Sequence, residues 1–342
     1  MALLNEYLTK KLVYDNHPVM DESCCLNTIQ TRNPCRICQD HCVYGVYDRS
    51  EPVWDRCLNC GICAAICPTG CISPSRFQSD KMITLLRSKK PSITLSCQHR
   101  TEEAELALPC LAAFPKEYLA LLILDRQVSI IEPDCSDCPY KPAMGHFEDS
   151  LTFLRELLGE EVCEKSLCFA KEVSEDTVSK YTRREAFSHL FSRTRSTAGI
   201  LLPEVASASL KLWRNLLSAQ IVKHAMTVSW SYPTFTDSCN ACGMCRKVCP
   251  DRAIYQVTDP GDPAHIHMAV LPEKCSSCGL CASLCPSQGI NPPRPVKGIS
   301  DPSVPVIHTI SCRFCIRCGE PMAEDSPQEL CDKCLGELRL PL

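Results

Sequence analysis

No stretch of this chain approaches the roughly 18 uncharged apolar residues that a membrane span requires, so no segment reads as crossing a bilayer. Met1–Met20 is broken by Glu6, Lys10, Lys11, Asp15 and His17 and lacks the apolar core of a signal peptide. Charge of one sign is also scarce. The 36 basic and 40 acidic residues leave a formal net charge of −4, which creates no broad field for nucleic acid or a membrane surface. No Gly-x-Gly-x-x-Gly follows a strand and no P-loop occurs, so no nucleotide fingerprint is visible. No Cys-x-x-Cys precedes a His, which argues against c-type haem, and the Cys-x3-Cys-x2-Cys run of radical enzymes is missing. No Ser/His/Asp or Cys/His constellation stands out as a catalytic centre. Aromatic residues make up only 6%, so each small unit buries little core and metal binding would supply the missing folding energy.

What the chain has is cysteine, 29 in 342 residues. The number is odd, the chain is long for a disulfide mini-scaffold, and no leader is read. That combination points to metal-bound thiolates in a reducing, cytoplasmic compartment. The cysteines fall in four blocks: ten in 24–71, six in 97–168, eight in 239–285 and five in 312–334.

The third block reads Cys239-x2-Cys242-x2-Cys245-x3-Cys249-Pro250 and then Cys275-x2-Cys278-x2-Cys281-x3-Cys285-Pro286. Two-residue gaps wrap three thiolates around one face of a cubane, and Gly243 and Gly279 let backbone N–H groups approach the sulfurs. The fourth Cys of each run points away, toward the other cluster. One [4Fe–4S] cluster is therefore expected on Cys239, Cys242, Cys245 and Cys285, and a second on Cys275, Cys278, Cys281 and Cys249. The first block is a degenerate copy. Cys57, Cys60, Cys63 and Cys67 form a complete run, whereas Cys35, Cys38 and Cys42 are one thiol short, with His41 where the third would stand. Two readings stay open. One places a single cluster on Cys57, Cys60, Cys63 and Cys42. The other adds a second on Cys35, Cys38 and Cys67, completed by Cys24, Cys25, Cys71 or His41.

Both blocks resemble bacterial-type dicluster ferredoxins, over about 35–71 and 237–290. The resemblance implies small α+β units of two pseudo-symmetric halves that transfer single electrons at low potential. In the second block, strand-like Ser92–Cys97 and Val128–Ile131 alternate with apolar Leu119–Leu124, which predicts a small α/β domain. Cys97, Cys110, Cys135 and Cys138 would converge at one edge of it. Their order is similar to the iron–sulfur delta subunit of methyl-viologen-reducing hydrogenase and implies a [2Fe–2S] cluster, although the family's second Cys near the first and its Gly-Cys-His segment are absent. Cys163 and Cys168 read as buried free thiols.

Helices are expected at Leu151–Leu158, Ser179–Arg193 and Glu204–Met226. Arg183-Arg184-Glu185-Ala186-Phe187 reads as a charged helix face. Five prolines in Asn291–Pro305 read as an extended linker. In the tail, Cys315, Cys318, Cys331 and Cys334 form two Cys-x2-Cys turns that resemble a zinc ribbon; rubredoxin-like iron shares that geometry, and Cys312 is surplus. The expected organisation is a multi-domain α+β chain: an N-terminal ferredoxin-like module (1–80), an α/β domain (81–160), a helical connector (161–230), a dicluster domain (231–291), a Pro-rich linker (292–309) and the ribbon (310–342).

The functional expectation is an electron-relay subunit of a larger anaerobic oxidoreductase, working between protein redox partners. Two other readings compete: an oxidoreductase with its own active-site cluster or thiol pair in the middle domain, and an assembly or scaffold protein docking through the ribbon.

Overall fold

The computed structural model describes residues 17–23, 25–29, 35–47, 52–73, 79–98, 104–170, 210–259, 261–319, 321–323 and 326–339. The expected Ser179–Arg193 helix, the Arg183–Phe187 segment and Cys24 lie outside these residues. The chain divides into two compact units, one of 1–29 with 36–220 and the other of 30–35 with 221–342.

The first unit opens with β1 (Val19–Met20) and the single turn α1 (Leu26–Ile29). Next come α2 (Ile37–Asp40), α3 (Ile62–Ile66) and β2 (Ile72–Ser73). β1 and β2 pair antiparallel, Val19 opposite Ser73 and Met20 opposite Ile72. An α/β layer follows, built from α4 (Ser79–Arg87), β3 (Ser92–Cys97), β4 (Leu106–Leu108), α5 (Lys116–Asp125), β5 (Gln127–Ile131), α6 (Met144–Leu158), α7 (Glu160–Ser166) and β6 (Leu167–Ala170). The sheet order is β4-β3-β5-β6, and every pairing is parallel. Parallel sheets are covered on both faces, and the strands show it: Ile93, Leu95, Val128, Ile130 and Ile131 are all buried. α5 is apolar nearly all round and buried from Glu117 to Ile123, as a core helix should be. The one charge in that buried stretch, Glu117, meets Arg214 of α8 (Leu210–Lys223) at 3.7 Å, and Trp213 of α8 packs edge-on against Tyr118.

Two expected boundaries shift. The α/β domain does not stop at 160, because Leu167–Ala170, read as connector, is the fourth strand of its sheet. α8, also read as connector, supplies Trp213 and Arg214 to the same core. The helix expected over Leu151–Leu158 is the C-terminal half of α6 and ends at Gly159, whose φ is +86°.

In the second unit, β7 (Val228–Tyr232) leads to α9 (Met244–Val248), the hairpin β8 (Ile254–Asp259) and β9 (Asp262–Val270), and α10 (Leu280–Ser283). After these come β10 (Arg294–Ile299), β11 (Val306–Phe314), β12 (Pro321–Ala323) and α11 (Asp332–Arg339). β10 pairs with β7, and β12-β11-β9-β8 form an antiparallel sheet. The segment 292–309 is therefore not an extended linker. Pro295 is tolerated because β10 is the edge of a two-stranded sheet, and β11 aligns Val306 with Val270 and Ile310 with Ile266. The tail is thus tied by a β-ladder to the hairpin between the two Cys runs.

Candidate iron–sulfur and metal sites

One local backbone design occurs three times. In Cys57–Cys63, Cys239–Cys245 and Cys275–Cys281, the residue before the second Cys and the glycine after it both have positive φ. The pairs are Asn59 (52°) and Gly61 (87°), Ala241 (54°) and Gly243 (71°), Ser277 (59°) and Gly279 (76°). Left-handed residues alternating with right-handed ones turn successive N–H groups toward one point and form an anion-binding concavity. Each glycine begins a helix of four or five residues, α3, α9 or α10, that carries the third Cys. The residue before a proline is driven out of the helical region. Cys67 and Cys249 accordingly become extended, with ψ of 116° and 112°, and their side chains leave their own loops. Three residues after each fourth Cys the chain turns left-handed again, at Gly70, Arg252 and Gln288.

This backbone presents N–H donors to sulfur. Asn59 N–H donates to Cys57 Sγ (3.4 Å), Ala253 N–H to Cys249 Sγ (3.2 Å) and Gly289 N–H to Cys285 Sγ (3.3 Å). In the second unit, burial first and then the charges of Cys285 and its loop neighbours raise Cys239. Burial, Cys239, Cys242 and Cys285 push Cys245 up to about 12. On the other side, Cys249, Asp251, Cys275, Cys278 and Cys281 line one cavity of about 330 Å³ with Pro233 and Pro293. Cys278 is pushed up to about 11 by burial and then by Cys275 and Cys249; burial, Cys275 and Cys278 also raise Cys281. Each fourth thiol thus stands among the first three of the opposite run.

In the first unit, Cys38, Cys42, Cys57, Cys60 and Cys63 line a cleft of about 450 Å³ walled by Tyr44, Tyr47 and Trp54. Burial pushes Cys60 up to about 11, assisted by the charges of Cys57 and Cys42. Cys67 packs elsewhere, with Cys25, Cys71 and Cys38. His41 is exposed, its Nδ1 lies 2.8 Å from the Ile37 carbonyl oxygen, and its ring faces His146. Cys35 groups with the second unit.

The middle-domain thiols come from the carboxyl ends of parallel strands, where open α/β sheets bind ligands. Cys97 ends β3, Cys110 follows β4, and Cys135 and Cys138 follow β5. Burial and then the charges of Cys60, Cys97 and Cys135 push Cys110 up to about 12. Cys135 is raised by burial, Cys138 and Cys97. Cys60 is thus a neighbour of this group, and the Tyr140 hydroxyl ties it to the first loop by donating to the Leu58 carbonyl (2.9 Å). Cys163 is buried in α7, and Cys168 lies 3.1 Å from Ser129 Oγ.

The tail differs in scale. The sulfurs of Cys315, Cys318, Cys331 and Cys334 all lie within 4.8 Å of one another, the one such group among the described residues. A tetrahedral ion with metal–sulfur bonds of about 2.3 Å sets its thiolates about 3.8 Å apart. Cys318 and Cys331 are 3.5 Å apart, which is single-ion spacing. Cys312 is not in this group. It is buried, and its charge acts on Cys239.

Buried thiols that raise one another cannot all ionise without a cation at their centre, and the N–H groups aimed at them suit sulfur carrying charge. The donor sets therefore fit iron–sulfur clusters, and the chain is an iron–sulfur protein with ferredoxin-type sites. A family model described as a 4Fe-4S dicluster domain matches residues 238–289, and one described as a 4Fe-4S binding domain matches 51–73. The two matched stretches do not reach 97–138. No curated protein matches the chain. Among the described residues, no helix is long and apolar enough to cross a membrane.

Proposed function

We propose that the chain is a multi-cluster electron-relay subunit of a cytoplasmic oxidoreductase complex of anaerobic metabolism, working between protein redox partners. Bound [4Fe–4S] clusters supply one-electron chemistry; the polypeptide holds them, aims N–H groups at their ligands and limits solvent. The ligand sets are Cys239, Cys242, Cys245 and Cys285; Cys275, Cys278, Cys281 and Cys249; and Cys57, Cys60, Cys63 and Cys42. Cys97, Cys110, Cys135 and Cys138 would hold a [2Fe–2S] cluster beside Cys60. Zinc would occupy the four tail thiolates, which leave no open position and suit a structural ion.

The observation that carries this reading is the threefold turn with its crossed fourth thiol. Cys242 is exposed, which leaves that site an edge for a partner to approach. The test is Cys249→Ser in the full chain, purified anaerobically. Iron should fall by about four atoms, and the remaining electron paramagnetic resonance spectrum should match that of Cys278→Ser rather than Cys242→Ser. A match to Cys242→Ser would refute the crossed assignment.

A further inference from the structure

The first unit contains a second thiol cluster outside the repeated turn. Cys25, Cys67 and Cys71 are 8%, 6% and 3% exposed and pack together, with Cys38 against them. We propose that Cys25, Cys38, Cys67 and Cys71 hold a further iron–sulfur cluster, a reading that rests on Cys42, Cys57, Cys60 and Cys63 being a cubane site. The backbone explains how ligands so far apart in sequence meet. The β1–β2 pairing lays the segment around Val19 against Ser73. The Asp21 N–H then donates to the Cys71 carbonyl at 2.8 Å, and the turn after it delivers Cys25 at the start of α1. From the other side, Pro68 forces Cys67 out of α3, and α2 carries Cys38.

Chemistry and scale narrow the occupant. Three buried thiols and the half-buried Cys38 are a soft donor set, suited to iron–sulfur clusters or zinc. Single-ion spacing gathers only the tail cysteines among the described residues, so no three of these four sulfurs meet around one ion. In that they behave like the ferredoxin runs, whose thiolates stand around a larger group. Cys67 and Cys71 alone stand at single-ion spacing, 3.5 Å between sulfurs, as two thiolates on one iron of a [2Fe–2S] cluster would, and Thr69 Oγ1 lies 3.6 Å from Cys67 Sγ. Cys63 also packs against the group, so the new site adjoins the first cubane. The incomplete Cys35, Cys38, Cys42 run thus gains from the N-terminal segment and from Cys71 the ligands its own spacing does not provide.

The test is iron and sulfide content with Mössbauer and paramagnetic spectra of the full chain, reconstituted anaerobically. Cys25→Ser and Cys71→Ser should each lose the same cluster signal, with about two iron atoms if it is a [2Fe–2S] cluster and about four if it is a cubane. Cys35→Ser should lose none, and Cys57→Ser should lose a different signal. Full iron in Cys71→Ser, or loss of the Cys71→Ser signal in Cys35→Ser, overturns the proposal. Full iron in Cys57→Ser overturns the underlying cubane reading instead. A test without variants is alkylation of the wild-type chain with and without an iron chelator. Cys25, Cys38, Cys67 and Cys71 should gain label together once iron is withdrawn. Equal labelling of Cys71 in both conditions, or a Cys67–Cys71 disulfide in the anaerobic protein, refutes the site.

Discussion

Gly289 is a sharp probe of how closely the polypeptide is fitted around the Cys239 site. A methyl group there would stand 2.6 Å from Cys239 N and 2.8 Å from Cys239 Cβ, whereas non-bonded carbons settle at about 3.5–4.0 Å. The two segments would have to part by roughly 1 Å, about twice the tolerance of roughly 0.5 Å for a well-held site. Rigid backbone lies on both sides, because Thr236 N–H donates to the Gly289 carbonyl and Gly289 N–H donates to Cys285 Sγ. Overpacking of this kind costs about 1–3 kcal/mol, more than the roughly 0.4–1 kcal/mol that Gly→Ala recovers from the unfolded chain. The displacement falls on two thiols of one site, Cys239 and Cys285. Gly289→Ala should therefore lose about four iron atoms and the spectral signal that Cys242→Ser also loses. Gly145→Ala is the control. Gly145 lies in α6 with nothing within 4 Å of the added methyl, so iron should be unchanged and stability higher by about 0.5–1 kcal/mol. Wild-type iron content and spectrum in Gly289→Ala would refute the reasoning.

Arg214→Ala should destabilise the first unit by about 3–5 kcal/mol in denaturant unfolding, because it strands the Glu117 carboxylate in the core; the two side chains are 5% and 2% exposed. Pairing Arg214→Met with Glu117→Leu should recover most of that loss, and a single-variant cost below about 1 kcal/mol would contradict the burial argument. Metal analysis of Cys331→Ser/Cys334→Ser should show loss of one zinc with iron unchanged; loss of iron instead would make the tail an electron-transfer site. Zinc retention should also depend on acid. The Cys331 N–H donates to Cys315 Sγ at 3.3 Å and is the largest of the effects that hold Cys315 down to about 6. This thiol is depressed below its usual value, so its thiolate is present at neutral pH and lost as pH falls through about 6. That holds for the metal-free thiol; bound zinc keeps its thiolates ionised to lower pH, so the apparent zinc affinity measured against a chromogenic chelator should weaken steadily with acid, and an affinity independent of pH would count against the assignment.

The cluster turns were legible in the sequence because their geometry is local. Two-residue spacings, Gly61, Gly243 and Gly279, and the prolines after Cys67, Cys249 and Cys285 act within a few residues of the thiols they position. The α/β layer was legible for a related reason: β3 and β5 are short strands carrying Ile93, Leu95, Val128, Ile130 and Ile131, and α5 is apolar from Tyr118 to Leu124. What escaped depends on distant partners. Pro292, Pro293 and Pro295 carry a linker's composition, and only the pairing of Arg294 with Tyr232 makes the segment a strand. Cys312 looked surplus because its neighbour, Cys239, lies 73 positions earlier. β11 does alternate buried and half-buried positions at Ile310–Cys312, and that periodicity was the available signal. Cys25 and Cys71 could be named only among several spare thiols; the β1–β2 ladder that joins their neighbourhoods is two residues long on each side, too short for any pattern to reveal.

The most direct test of the central claim is the iron inventory and reducibility of the full chain, purified without oxygen. Iron, sulfide and Mössbauer analysis should find about 12–16 iron atoms in cubanes, with about two more if the middle-domain thiols hold a [2Fe–2S] cluster. Dithionite should bleach the visible band and produce overlapping, spin-coupled paramagnetic signals. Fewer than about eight iron atoms after full reconstitution, or clusters that accept no electrons, would contradict the account.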